Sequence, residues 1–267
     1  MSIQREDLLR SILDANEVYA SAFAQADPAL LKKLAKGQSP RICWLGCSDS
    51  RVSAELSTGV APGSIFVHRN VAQCFHEGDL SAAAALSYAV NVLQVEAIIV
   101  CGHTGCGGVK AAMMAAQDEK ANGPATPANE HERIVSKWIS PIKDLALTQL
   151  EANSSNGELR DHKHENGCSH GGAEYDCLSA TALGELTDKH VAETVKAVAE
   201  SQIVTEAWKE GRQLSVHGWV YHVATARLRD LDIGWKGVGI PADSLSRPGS
   251  FAGSETSEHL VASDDEA

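Results

Sequence analysis

The sequence has little positive charge, no long apolar run and no recognisable leader. Its 23 Lys and Arg residues stand against 35 Asp and Glu residues, and the formal net charge of −12 opposes binding to nucleic acid or anionic lipid. The most apolar stretch, 80–101, is interrupted by Asn91, Gln94 and Glu96, whereas a membrane span needs about eighteen apolar residues in a row. The N-terminal residues include acids and resemble neither a secretory signal nor a mitochondrial presequence. We therefore expect a cytoplasmic protein that binds neither nucleic acid nor membranes.

The sequence also lacks the even cysteine count of a secreted disulfide framework, since it has seven cysteines. Cys43 and Cys101 lie within apolar runs, where we expect them to be small buried apolar side chains. Cys47 and Cys106 come after such runs and have other potential metal ligands beside them. Cys47 and Cys106 are therefore the cysteines that we interpret as candidate metal ligands.

Two short motifs follow the apolar runs 42–46 and 97–102. The first, CSDSR, contains Cys47 and Asp49, and the second, HTGC, contains His103 and Cys106. Residues two apart on an extended chain point to one side, and a spacing of three suits a tight loop that enters a helix. Two thiolates, one imidazole and one carboxylate form a ligand set that tetrahedral zinc accepts. The sequence therefore predicts a zinc site.

The order of the predicted elements indicates an α/β fold. Short apolar runs predict strands at 41–46, 64–68 and 96–102, and an alanine-rich helix at 80–93 lies between the last two. A strand, a helix and a further strand form a parallel pair, so we expect a mostly parallel central sheet flanked by helices. In such sheets ligands bind beyond the carboxyl ends of the strands, where both motifs lie. Helical spacing within 1–40 predicts an N-terminal helical arm.

Four motifs together resemble the β-class carbonic anhydrases, and the match is best with microbial members, including those of fungi. They are 47–51 (CSDSR), 66–70 (FVHRN), 102–108 (GHTGCGG) and 214–221 (LSVHGWVY). One such motif alone would be weak, but four in this order are specific, and the resemblance covers about 42–232.

The resemblance implies that Cys47, His103 and Cys106 hold zinc, and that Asp49 is either the fourth ligand or the partner of Arg51. It implies reversible hydration of carbon dioxide to bicarbonate and a proton, through attack by a zinc-bound hydroxide, with Asp49 and Arg51 gating and orienting. A zinc ion with four protein ligands is structural, so Asp49 must leave the metal for catalysis. The planar guanidinium of Arg51 is suited to receive that carboxylate. The family further implies a homodimer or homotetramer.

Three further positions belong to a possible substrate or anion pocket. In the bicarbonate-inhibited members of the family a Trp, an Arg and a Tyr form a second anion pocket; Trp44 and Arg69 match two of them, while Lys196 stands at the expected Tyr position. Gly107 allows close approach of the backbone, and a helix predicted from about Val109 would direct its amides toward the metal site. Trp44 could equally be a core aromatic and Arg69 a structural ion-pair residue. The Gln that binds substrate in the plant-like members is absent from the turn 61–63 (APG).

Two other functions compete with this interpretation. The same zinc site could hydrolyse carbon disulfide or carbonyl sulfide, or the chain could be a catalytically silent zinc-binding module. Asp49 together with Arg51 argues against the silent module, because a permanently closed site has no need of an alternative partner for the carboxylate. A phosphate-binding loop at 102–110 is excluded, since it lacks the Gly-Lys-Ser/Thr ending.

The resulting division of the chain has three parts. We expect the helical arm at 1–40, a zinc-binding α/β catalytic domain at 41–240 and a mobile acidic tail at 241–267. Within the domain, a polar insertion at about 151–184 predicts a long surface loop. The insertion contains five potential metal ligands with irregular spacing, for which a solvated loop is the simpler interpretation and a second metal site the alternative: His162, His164, Cys168, His170 and Cys177.

Overall fold

The computed structural model describes residues 5–155, 180–237 and 240–241. Within these ranges the strands are β1 (Ile42–Cys47), β2 (Ile65–Asn70), β3 (Ala97–His103), β4 (Ser215–His222), β5 (Arg227–Lys236) and β6 (Ile240–Pro241). The α-helices are α1 (Arg5–Ala26), α2 (Pro28–Leu34), α3 (Ala54–Thr58), α4 (Leu80–Ser87), α5 (Gly107–Asn122), α6 (Glu130–Ser155), α7 (Ala180–Glu200) and α8 (Gln202–Lys209).

The strands form one sheet in the order β2-β1-β3-β4-β5-β6. The first four strands of that order are parallel, and β5 and β6 add antiparallel at one edge. This confirms the prediction of a mostly parallel sheet. Because Gly46 pairs with Cys101, the carboxyl ends of β1 and β3 lie side by side. The register thus brings the residues that follow these two strands to the same edge of the sheet.

Alternate residues of β1 pack on opposite faces of the sheet. Cys43 and Leu45 lie in the core that includes side chains of α4, α7 and α8, and Cys47 lies in the adjoining core of α5 and α6. Trp44 packs on the opposite face in a cluster with Val52 and other apolar side chains. This alternation follows from the two-residue period of a strand, and it places the Cys47 thiol on the face that carries α5.

Two helical segments are interrupted. The predicted helix 80–93 ends as an α-helix at Ser87, and a π-helical turn, Tyr88–Val92, completes it. The segment 180–209 is divided into α7 and α8 at Ser201, whose backbone leaves the helical region and whose Oγ accepts a hydrogen bond from the amide of Val204. A side chain that caps one helix ends the preceding one, because its extended backbone cannot continue the turn.

The predicted polar loop at about 151–184 is wrong at both ends, because α6 continues to Ser155 and α7 begins at Ala180. Helix α7 begins before the predicted end of the loop because Leu183 packs against the core of α5 and α6. This burial offsets the weak helix propensity of the neighbouring residues. The centre of the predicted loop, 156–179, lies outside the described residues, and so do the five potential metal ligands that it contains. The predicted tail beyond Pro241 lies outside them as well.

The N-terminal arm consists of α1 and α2, as predicted. Asp27 caps α2 by accepting a 2.8 Å hydrogen bond from the amide of Leu30, and Pro28 occupies the first turn. Helix α1 presents six large apolar side chains that are each at least half exposed: Leu8, Leu9, Ile12, Leu13, Val18 and Tyr19. Among the described residues, no helix combines the length and the apolar character needed to cross a membrane.

Candidate metal centre

Three potential metal ligands from separate motifs converge at the carboxyl ends of β1 and β3. The ligand atoms of Cys47, His103 and Cys106 all lie within 4.8 Å of one another, and all three residues are buried. The two sulfurs are 3.9 Å apart. Cys47 is the last residue of β1, His103 is the last residue of β3, and Cys106 immediately precedes α5. The structure therefore brings together the three residues that the sequence predicted.

The imidazole of His103 has one nitrogen engaged and one directed into the cluster. Its Nδ1 lies 3.1 Å from the carbonyl oxygen of Thr104, which can only accept a hydrogen bond, so Nδ1 carries the proton. Its Nε2 is buried, and no hydrogen-bond partner for it exists among the described residues. A histidine that ligates a metal shows this arrangement, because the bond from its second nitrogen fixes the tautomer and the ring orientation.

The donor set and its spacing fit zinc. Zinc–sulfur bonds of about 2.3 Å at a tetrahedral angle separate two sulfurs by about 3.8 Å, close to the distance found between the thiols. A buried imidazole nitrogen without a partner costs free energy unless it binds something. Cys47, His103 and Cys106 could therefore hold a zinc ion and leave a fourth position for a non-protein ligand.

The environment of the two thiols favours a thiolate at this place. The hydrogen bond from the Cys106 thiol, helped by His103 and by the backbone amides of Asp49 and Ala72, lowers the pKa of Cys47 to about 4. The Cys47 thiolate in turn raises the pKa of Cys106, because that thiol gives its proton to the bond and a second negative charge would lie beside the first. By contrast, burial without such partners raises the pKa of Cys43 to about 12.

The start of α5 supplies further donors to the site. The backbone amides of Gly108 and Val109 act to lower the pKa of Cys106, against the rise caused by Cys47, as expected where a helix N-terminus favours negative charge. Gly105 makes the preceding turn with a φ of +68°, in the left-handed region that favours glycine. This turn folds the HTGC motif so that His103 and Cys106 face the same point.

Asp49 is the partner of Arg51 in this structure. The guanidinium of Arg51 donates to both carboxylate oxygens, at 2.9 Å to Oδ1 and 2.7 Å to Oδ2, and the Arg51 amide donates a third bond. These bonds hold the pKa of Asp49 well below its usual range. The carboxylate lies next to the cluster, with Oδ2 at 3.8 Å from Nε2 of His103. Of the two roles expected for Asp49, the structure therefore presents the partner of Arg51.

The residues expected in an anion pocket lie in different surroundings. Arg69 donates to the backbone oxygens of Cys47 and Asp49 at 2.7 and 2.5 Å, and so supports the loop between them. Trp44 lies on the other face of the sheet and makes an edge-to-face contact with Trp219. These contacts agree with the core-aromatic alternative for Trp44. They give Arg69 a structural role, although through carbonyl groups and not through an ion pair.

The other two residues of that group lie at the surface. A Cβ atom built on Gly107 meets nothing within 4 Å, so this glycine borders open space at the start of α5. Lys196 is exposed on α7. Anion binding by Gly107 and Lys196 stays a prediction.

A third segment at the site, residues 70–74, was not predicted from the sequence; we call it the anchoring loop. Ala72 is fully buried in the cluster that contains Cys47 and Cys106, and the carbonyl of Asn70 accepts a 2.9 Å hydrogen bond from the amide of Ser48. The side chain of Asn70 spans the loop, with its Oδ1 accepting from the amide of Cys74 and its Nδ2 donating to the carbonyl, each at 2.7 Å. Trp138 on α6 donates to the carbonyl of Val71 at 2.8 Å. No sequence pattern marks an alanine whose function resides in its backbone.

The fold and the site define an α/β protein with a buried cluster of two cysteines and one histidine that could hold a metal ion. The family model described as carbonic anhydrase matches residues 42–228, from β1 into β5. A carbonic anhydrase of Emericella nidulans is 32% identical over 230 residues, which cover 85% of this chain and 85% of that protein. The chain therefore belongs to the carbonic anhydrase family, in its β class and of the fungal type.

Solved structures agree with this assignment. A β-carbonic anhydrase of Sordaria macrospora, described as tetrameric, matches with a TM-score of 0.68 at 27% identity, over 85% of this chain and 98% of that one. The β-carbonic anhydrase CafA of Aspergillus fumigatus matches with a TM-score of 0.66 at 32% identity, over 85% of this chain and 91% of that one. The resemblance inferred from the four motifs is thereby confirmed.

Proposed function

We propose that this chain catalyses the reversible hydration of carbon dioxide to bicarbonate and a proton, with zinc held by Cys47, His103 and Cys106. The convergence of these three ligand atoms within 4.8 Å carries the proposal. Membership of the carbonic anhydrase family supports the reaction. Zinc bound at this site would activate a water molecule for attack on carbon dioxide.

In this proposal Asp49 and Arg51 gate the site and orient the reacting water. The two bonds from Arg51 keep the Asp49 carboxylate ionised and hold it beside His103. An ionised carboxylate accepts hydrogen bonds, so it can orient a water molecule bound next to it. If the carboxylate left Arg51 and occupied the fourth position at the metal, the site would be closed to substrate.

The decisive experiment is stopped-flow hydration of carbon dioxide on protein whose zinc content has been measured, scanned over pH. Cys47→Ala removes a ligand, and Cys43→Ala is its matched control, because both cysteines are buried in β1 on the same side. We expect the control to keep one zinc per chain and its activity, and Cys47→Ala to lose both. A Cys47→Ala variant that retained zinc and full activity would contradict the assignment of the site.

The same experiment separates the competing functions. Zinc-loaded protein that does not hydrate carbon dioxide would support a silent zinc-binding module. Faster turnover of carbon disulfide or carbonyl sulfide, measured on the same preparation, would support the hydrolase. Carbon dioxide as the best substrate supports the proposal.

We also propose that the chain assembles as a homodimer or homotetramer through its N-terminal arm. The Sordaria macrospora relatives are described as tetrameric, and α1 exposes an apolar face that includes Leu13. In sedimentation equilibrium we expect Leu13→Glu to lower the molar mass. Ala22→Glu adds the same charge on the side of α1 opposite Leu13 and should leave the molar mass unchanged. An unchanged mass in Leu13→Glu would contradict assembly through this face.

For its location we propose the cytoplasm. The five cysteines among the described residues are free thiols, which suits a reducing compartment. Imaging of a fluorescent fusion protein tests this assignment, and a signal confined to an organelle would contradict it.

A further inference from the structure

The backbone of Ala72 links the metal centre to a histidine on α7. On one side the residue packs in the buried cluster that contains Cys47 and Cys106. On the other side its carbonyl oxygen lies 2.7 Å from Nε2 of His190, which is separated from it by 118 positions in the chain. His190 therefore holds a residue that packs in the same cluster as two of the metal ligands.

Ala72 needs external support for its conformation. Its φ of 59° and ψ of 27° place it in the left-handed region, which side chains with a Cβ atom disfavour. The residue is fully buried, so water cannot satisfy its carbonyl group. A hydrogen bond from a buried side chain to this carbonyl group can therefore stabilise the conformation of Ala72.

His190 has the properties that such a support requires. The side chain is buried, with 5% of its surface exposed, and it lies on α7 among residues that face the core. Burial lowers the pKa of His190 to about 4, so the ring is neutral at physiological pH. A neutral imidazole that faces a carbonyl oxygen through Nε2 must carry its proton there. Cys74, at the end of the anchoring loop, also lies 3.9 Å from this nitrogen.

We propose that His190 is a positioning residue of the metal centre, which fixes Ala72 through its carbonyl and so holds the anchoring loop against Cys47 and Cys106. A residue packed beside a metal ligand keeps that ligand in the orientation that the metal requires. Loss of the His190 donor releases the anchoring loop from α7, and the ligands then lose part of their support. The inference rests on the proposed binding of zinc, but not on the reaction that follows it.

The test measures the rate at which zinc leaves the intact protein for a chromogenic chelator. His190→Leu and His190→Asn both remove the hydrogen bond to the Ala72 carbonyl. Leucine has no donor, and the side-chain amide of asparagine is too short to reach. His190→Gln keeps a donor at nearly the position of Nε2. Thr194→Val is the matched control, since it removes a buried hydrogen bond whose donor and acceptor both lie on α7.

We expect zinc to leave His190→Leu and His190→Asn about 10- to 100-fold faster than the wild type, in the range found for residues that support metal ligands. We expect His190→Gln to restore slow release, and Thr194→Val to behave as the wild type. In cobalt-substituted protein, the sulfur-to-cobalt charge-transfer band should shift only in the variants without the donor.

Two outcomes would overturn the inference. Release at the wild-type rate from both donor-free variants would show that His190 does not support the ligand. Equal acceleration in Thr194→Val and His190→Asn would assign the effect to the packing of α7. Wild-type protein that bound no zinc at all would instead remove the proposed function, so the two failures are distinguishable. If His190→Leu does not fold, His190→Asn, compared with His190→Gln, still decides the matter.

Discussion

The start of α5 packs so closely against the anchoring loop that adding one methyl group, in Gly108→Ala, should destabilise the protein. A Cβ atom added to Gly108 would lie 2.9 Å from the Cβ of Ala72 and 3.3 Å from Cγ1 of Val71. Carbon atoms in favourable contact are about 3.5–4.0 Å apart, so one of the two backbones must move. Ala72 cannot yield by rotating its side chain, because the atom in contact is its own Cβ.

The neighbouring Gly107 supplies the control, since a Cβ atom there meets nothing within 4 Å. Both glycines lie in the first turn of α5, so the gain of about 0.5–1 kcal/mol from replacing glycine by alanine in a helix is common to both variants. Overpacking a buried contact costs about 1–3 kcal/mol. We therefore expect Gly108→Ala to be less stable than Gly107→Ala by about 1–3 kcal/mol.

The assay is urea unfolding of both variants at one protein concentration and in a fixed excess of zinc, because binding and assembly each contribute to apparent stability. Gly108→Ala should also release zinc faster, since movement of Ala72 disturbs the buried cluster that contains Cys47 and Cys106. Equal stability of the two variants, with equal release of zinc, would refute the argument that the anchoring loop and α5 are in obligatory contact.

Three further predictions concern residues around the centre. The pKa of about 4 for His190 lies below the ordinary value of 6.5, so the unfolded chain binds more protons between these values; stability should fall by up to about 3 kcal/mol from pH 6.5 to 4, and a flatter unfolding profile in His190→Gln checks this. Arg51→Gln removes both bonds to the Asp49 carboxylate, and we expect at least about a tenfold loss of hydration rate with zinc retained; an unchanged rate would remove the proposed gate. Trp44→Phe should cost about 1–2 kcal/mol of stability and leave the response to bicarbonate unaltered, because the indole packs away from Cys47; altered inhibition by bicarbonate would restore the anion pocket.

The metal centre could be predicted from the sequence because its ligands follow directly from strand ends. Cys47 and His103 are the last residues of adjacent parallel strands, and a parallel sheet has to place such residues at one edge. The position of Trp44 follows from a second rule, the alternation of side chains along a strand. Residues three apart on a strand face opposite sides, so Trp44 and Cys47 could not share a pocket within the strand itself.

The supports of the ligands could not be predicted in this way. The bond from His190 to the anchoring loop joins residues that are 118 positions apart, and its acceptor is a backbone oxygen, which every residue type provides. The left-handed conformation of Ala72 is equally hidden, because glycine is the residue that normally signals it. Only the packed structure, in which α7 covers the sheet, shows why an alanine occupies this place.

The two thiols show where the sequence of this site is constrained. A thiolate in a buried position needs hydrogen-bond donors beyond the metal itself, and at Cys47 one such donor is the main-chain amide of Asp49, 3.4 Å from the sulfur. A backbone donor can be aimed only by the residues around it. Substitutions at the bond from α7 to the anchoring loop, or at the contact of that loop with α5, should therefore weaken the hold on zinc while every ligand remains in place.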